Sequence, residues 1–267
     1  MNSNILHIAI ASLSLPLVVA SASAQHFDIF LARPASGTQT VIGGADVDSL
    51  NFDDTTRVFE VELDELGGEF FALEPGVNHP NVNNPGLGIY PASATALLPG
   101  DVLSLFERQF ELGGVSDDLF YWNGVLPVSF APASADFRID GGAPLGGTAG
   151  LGGAFDEHPF LVIDDDSLPG VYVASVYGVV NGFSPSKPIY LVMGTESLIT
   201  PEFLGISQAE FDLLSDDELD EALEGVIHEA SEFVISNLVP EPASIALFSI
   251  AGCFLSISRR RRIHTEK

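Results

Sequence analysis

Phe59-Glu60-Val61-Glu62-Leu63-Asp64 alternates apolar and acidic residues without a break. In an extended chain successive side chains point to opposite faces, so Phe59, Val61 and Leu63 share one face and the acids share the other. This is the pattern of a strand with one face in a core and one in water. Ala135-Asp136-Phe137-Arg138-Ile139-Asp140 repeats it, and Val102–Phe110 is a longer candidate. Val171–Val180 is apolar on both faces, which predicts a central strand. Asn181-Gly182 then turns the chain, and Pro188–Met193 returns to pair with it. Pro75-Gly76, Pro85-Gly86, Pro99-Gly100, Gly113-Gly114 and Pro169-Gly170 punctuate the region, and no helix-length amphipathic run interrupts it. These features predict a mainly β protein with an antiparallel beta-sandwich ectodomain over residues 25–200.

The pattern changes after Pro201. Ser207-Gln-Ala-Glu210 and Ser215-Asp-Asp-Glu218 are capping boxes, each placing a Ser hydroxyl and a Glu carboxylate on backbone amides of a first helical turn. Leu219, Leu223, Val226, Ile227, Ala230, Phe233 and Val234 recur at helical spacing. A C-terminal helical segment over 201–238 follows, either packed on the sandwich or serving as a spacer.

The chain of 267 residues has 37 acids against ten Lys and Arg, a formal net charge of −27. Five of those bases, Arg259, Arg260, Arg261, Arg262 and Lys267, stand at the far end, so residues 25–238 are more acidic still. Such a surface repels phosphate backbones, which excludes nucleic acid as a partner. The single cysteine, Cys253, lies in the C-terminal tail, so the domain relies on a hydrophobic core without disulfides. The sequence lacks G-x-S-x-G and H-E-x-x-H motifs, and Gly141–Gly153 lacks the lysine of a phosphate-binding loop. A carboxylate pair of the glycosidase kind stays open among so many acids. Tyr121 and Trp122 are open to either sugar stacking or core packing.

Both termini read as targeting segments. Ile5–Ala20 is uncharged and apolar, and Ala22-Ser23-Ala24 is a small-residue cleavage signal, giving a signal peptide over 1–24, signal peptidase as a partner and Gln25 as first mature residue. At the other end, Val239-Pro240-Glu241-Pro242 precedes an uncharged run over 243–258 and then Arg259–Arg262. A helix over that run spans roughly 24 Å at 1.5 Å per residue. The expectation is a single C-terminal transmembrane helix held by an arginine stop, hence a membrane-anchored precursor with the domain outside. The motif, apolar run and basic cluster together resemble the PEP-CTERM sorting signal of bacteria, over about 239–262. That resemblance implies processing by exosortase, a membrane thiol protease, and a mature protein at the cell surface or in an extracellular polysaccharide matrix.

Metal chemistry is the other expectation. His26 and Asp28 share a face of the first strand, and His158 follows Asp156-Glu157. If those strands meet, His26, Asp28 and His158 offer zinc a nitrogen–oxygen set; otherwise they are polar residues at strand ends. Asp164, Asp165 and Asp166, or Asp46, Asp48, Asp53 and Asp54, offer oxygens to calcium or another divalent cation, though neither run has EF-hand spacing. The stretch Asp156–Met193 resembles a segment of bacterial surface-anchored beta domains, in which two histidines stand one residue apart; here Asp156 takes the first place. The expected function is a structural or adhesive surface module without catalysis; the alternative is a secreted carbohydrate-active enzyme or carbohydrate-binding module.

Overall fold

A computed structural model describes residues 27–46, 51–79, 89–140, 148–164 and 167–239. The strands are β1 (Phe27–Pro34), β2 (Val41–Asp46), β3 (Phe52–Asp53), β4 (Val58–Leu66), β5 (Glu69–Ala72), β6 (Val77–His79), β7 (Ala94–Thr95), β8 (Leu103–Glu107), β9 (Phe110–Leu112), β10 (Val115–Asp117), β11 (Leu119–Trp122), β12 (Ala131–Pro132), β13 (Phe137–Asp140), β14 (Phe155–Glu157), β15 (Phe160–Ile163), β16 (Val171–Val180) and β17 (Ile189–Thr195). The α-helices are α1 (Pro201–Leu204), α2 (Gln208–Phe211) and α3 (Asp216–Leu238).

Phe59, Val61 and Leu63 point into the core from β4, with the intervening acids exposed, as the alternation requires. β16 lies centrally, paired antiparallel with β17 along one side and with β11 and then β8 along the other. Together they belong to a nine-stranded sheet in the order β12-β11-β16-β17-β4-β5-β15-β13, with β8 also on β16. The sheet curls into a half-barrel. The rim strands β8 and β13 approach until the Ile139 N–H donates to Glu107 Oε1 at 2.9 Å. A smaller sheet, β14-β6-β1-β2-β3 with β7 on β1, covers its concave side. Ile29, Leu31 and Ile42 from the small sheet meet Leu63, Leu105, Tyr172, Val176 and Leu191 from the large one in the main core. Each such aliphatic side chain, moved from water into this core, contributes about 1.5–3 kcal/mol.

The antiparallel beta-sandwich with an appended helix is corrected by two findings. The fold is mixed α/β: β17 pairs with β4 in parallel, and β1 with β6 in parallel. In addition, α3 supplies a second core. Leu223, Ile227, Ala230 and Val234 pack against Val171, Val173, Tyr190 and Val192 on the convex face of the large sheet. Every residue of β17 is buried, and a strand buried on both faces must be covered on both. Gly194 makes the close approach possible, because a Cβ there would lie 2.5 Å from Ile227 Cγ1. Alternation along one strand reports which face is buried. It carries no information on the direction of the neighbouring strand or on what covers the second face.

The two capping boxes form as read, on α2 from Ser207 and on α3 from Ser215. Val102–Phe110 is divided: β8 ends at Glu107, and the Arg108 N–H donates to Ser175 O at 2.8 Å before β9 begins.

Among the described residues no helix is long and apolar enough to cross a membrane. α3 is the longest of them, and its apolar stripe is spent on the sheet while acids line its first turn. The expectations of a transmembrane helix, of the membrane as a partner and of a membrane-anchored precursor are corrected accordingly. The run 243–258 and Arg259–Arg262 lie outside the described residues, as do Pro240, Glu241, Pro242 and the signal peptide.

Candidate functional site

Two connections cross between the sheets at one corner. Leu73–Gly76 joins β5 of the large sheet to β6 of the small one, and His158-Pro159 joins β14 of the small sheet to β15 of the large one. β1 lies beside β6, with Ile29 opposite Val77, so Asp28 comes under the same corner. The topology thus brings Asp28, Glu74, Asn78, Asp156 and His158 together from distant parts of the chain.

Asp28 is 4% exposed. Its carboxylate accepts the Gly76 N–H at 3.1 Å and an Asn78 amide N–H at 3.2 Å. Burial pushes its carboxyl above the ordinary carboxylate range; the Asn78 bond opposes this, and the neighbouring Glu74 adds to it. His158 lies over Gly76, where a Cβ would sit 2.7 Å from its ring, so a side chain there would displace the imidazole. Nδ1 is 3.3 Å from Leu73 O and 3.2 Å from Glu74 Oε1, while Nε2 is 3.3 Å from Asp156 Oδ1. A carbonyl only accepts, so Nδ1 carries hydrogen. Burial lowers the imidazole's affinity for a proton, but Glu74, the Leu73 carbonyl, Asp156 and Asp28 outweigh it and raise the pKa. The arrangement favours the protonated ring among its carboxylates and ties the two crossing connections together.

The expected metal residues are only partly brought together. Asp28 and His158 do share this corner; His26, Asp165, Asp166 and Asp48 lie outside the described residues. Among the described residues no group of three or more His, Cys, Asp or Glu is arranged to hold a metal ion. The geometry gives the reason: both ring nitrogens of His158 face carboxylates on opposite sides of the ring. Asp53 closes a turn, accepting the Thr55 N–H at 2.9 Å and the Thr55 and Thr56 hydroxyls at 2.7 and 2.9 Å. Partial burial opposes that bonding, but the three donors prevail and hold its carboxyl below the ordinary range. Asp54 accepts from the Ser93 hydroxyl. Asp164 donates its N–H to Asp136 O at 3.2 Å, and its buried Oδ1 has no hydrogen-bond partner among the described residues.

Glu74 and Asn78 are the members of the corner that reading the sequence missed; for Glu74 there was a signal. Its signal was the Pro75-Gly76 turn directly after it, which marked a chain reversal and hence a site where distant strands converge. His79 was missed as well. It is buried, with Nε2 accepting the Leu97 N–H at 3.3 Å and lying 3.1 Å from the Tyr90 hydroxyl; its ring lies 4.8 Å from that of Phe30. Burial pushes the Tyr90 phenol up to about 12. This network braces the small sheet.

Core packing accounts for the two aromatics left open by the sequence. Trp122 is 2% exposed and donates its indole N–H to Val125 O, and the Tyr121 hydroxyl donates to Pro169 O. Comparison of the chain with protein-family models, curated proteins and solved structures gives no match.

Proposed function

We propose that this chain is an exported extracellular-matrix or surface module, delivered through the sorting motif that begins at Val239, and that its folded body is structural or adhesive, not catalytic. The observation that carries the reading is the use made of the Asp28–Glu74–Asp156–His158 corner. Catalysis by an imidazole needs a ring nitrogen directed at a substrate. Here each ring nitrogen is engaged by a carboxylate, and the ring braces two connections between the sheets. The motif follows α3 directly, and Leu238 and Val239 pack against the helix-covered core. A strongly acidic surface suits a soluble body outside the cell, where salt screens its self-repulsion.

The test is turnover. The purified protein is incubated with a panel of extracellular polysaccharides, and new reducing ends are measured over days. The reading requires no release above a blank. Release that a single carboxylate substitution abolishes would establish the enzyme reading in its place.

A further inference from the structure

The sequence holds two Asn-Gly pairs, Asn123-Gly124 and Asn181-Gly182. Such a pair carries a chemistry of its own. The peptide nitrogen after an asparagine can attack that asparagine's side-chain carboxamide, and a glycine, having no Cβ, leaves the nitrogen unshielded. The attack requires the asparagine and the following peptide to leave their resting conformation, so the ease of local opening decides the rate. The two pairs share residue types but not surroundings.

Asn123-Gly124 follows β11. Asn123 is exposed, but Gly124 is buried. A Cβ on Gly124 would lie 2.9 Å from Phe203 Cε2 and 3.1 Å from Leu198 Cδ2, so the backbone here is pressed against both side chains. The turn is also clamped. Trp122 donates its indole N–H to Val125 O at 2.9 Å, and the Val125 N–H donates to Asn123 Oδ1 at 3.1 Å. Both bonds span the Asn-Gly peptide. Rotating that peptide would break them and move Gly124 against its packed neighbours.

Asn181-Gly182 forms the turn after β16, and both residues are exposed. Apart from chain neighbours, no described atom lies within 4 Å of the place a Cβ on Gly182 would take. The Phe183 N–H closes the turn on Val180 O at 3.0 Å. Asn181 ties the turn to the start of β8: its Oδ1 accepts the Val102 N–H at 2.9 Å, and its own N–H donates to Val102 O at 3.0 Å. Its Nδ2 and the Gly182 N–H have no hydrogen-bond partner among the described residues. Those two groups are the leaving group and the nucleophile of the reaction.

We infer that Asn181 is a site of spontaneous covalent modification in the folded protein, deamidation with water as co-reactant, and that packing protects Asn123 from the same reaction. The Gly182 nitrogen gives up its proton and bonds to Asn181 Cγ. The Cγ–Nδ2 bond breaks, and ammonia leaves with that proton as a succinimide ring closes. Water then opens the ring. Cleavage between the nitrogen and Cγ gives aspartate; cleavage between the nitrogen and the main-chain carbonyl carbon gives isoaspartate. Nothing is oxidised or reduced. Either product adds a negative charge to an already acidic chain. Isoaspartate also lengthens the backbone by one carbon where Asn181 holds Val102, which undoes the tie between the turn and β8. The inference goes beyond the reading of the folded body as a surface module and does not depend on it.

The test incubates the full-length protein at physiological temperature and mildly alkaline pH for weeks, with a parallel sample unfolded in urea. Peptide mass mapping follows both asparagines, and enzymatic methylation of isoaspartate identifies that product. In the folded protein Asn181 is expected to convert on the order of tenfold faster than Asn123, because a modest extra cost of opening the clamped turn slows the reaction by that factor. In urea the two rates are expected to converge. Phe203→Ala, which removes the ring packed on Gly124, is expected to speed Asn123 severalfold and leave Asn181 unchanged. Equal conversion of both asparagines in the folded protein would overturn the inference. So would an Asn181 that converts only in urea, or an Asn123 rate that folded Phe203→Ala does not change. Circular dichroism reports whether that variant folds; if it does not, the two rates in the folded parent protein decide.

Discussion

Replacing Ile227 by Ala probes the finding that most changes the picture of this chain, the docking of its long helix on the sheet. Ile227 is 2% exposed and sits over Gly194, whose backbone belongs to the fully buried β17. Truncation removes three carbons at a contact whose floor is a sheet backbone held by neighbours on both sides. That floor cannot rise to fill the space. Buried Ile-to-Ala changes cost about 2–5 kcal/mol depending on how far the site collapses. A rigid floor on one side and a helix free to settle on the other place this one near ~3 kcal/mol. For a domain of this size 1 kcal/mol moves Tm by about 2–4 °C, so a fall of roughly 6–12 °C is expected. Thermal unfolding followed by far-ultraviolet circular dichroism measures it, with Glu229→Ala on the exposed side of the same helix as control, expected within about 0.5 kcal/mol of the parent. If Ile227→Ala shifts Tm by no more than the control does, α3 is a spacer and the second core does not exist.

Three further outcomes follow from the structure. Gly43→Ala places a Cβ 2.1 Å from the Asp53 carbonyl oxygen, a backbone atom that cannot swing aside, so a loss of about 1–3 kcal/mol is expected in urea unfolding. Ser215→Ala removes the hydroxyl that accepts the Glu218 N–H at the start of α3, and about 1 kcal/mol should be lost from the same curve. Stability should also decline as pH rises from near 6.5 through the folded-state pKa of His158, because a histidine whose pKa is raised on folding stabilises fully only below its unfolded value. Asp28, also raised, acts in the same sense over a window that opens at lower pH, and Asp53, lowered, acts in the opposite sense, its contribution being lost as pH falls through its folded pKa. His158→Gln should therefore flatten the upper part of the pH–stability profile; an unchanged slope would mean that the corner carries no charge.

Much of the local structure was legible because it depends on neighbours in sequence. The alternation at Phe59–Leu63 gave the buried face of β4, the apolar run at Val171–Val180 gave the central strand, and the boxes at Ser207 and Ser215 gave two helix starts. What escaped depends on partners far along the chain. A parallel pairing such as β4 with β17 leaves no mark on either strand. The cover over β17 is a helix that ends more than forty residues later, and only the unbroken apolar run Ile189–Met193 in β17 hinted that something must lie on both faces. The candidate site shows the same division. Asp28 and His158 were singled out as residue types that carry chemistry, and the corner does unite them. Glu74 was hidden among many acids, and it is Glu74 together with Asp156 that turns the imidazole from a metal ligand into a brace. Phe106 and Tyr177, whose rings stack across β8 and β16 with centroids 5.3 Å apart, escaped because stacking across strands requires the register, and the register was not in the sequence.

The most direct test of export and sorting is the intact mass of the native protein recovered from outside the cell. The account requires a first residue at or near Gln25 and a last residue at or near Val239–Pro242. Extracellular copies that all retain Arg259–Arg262 would contradict it.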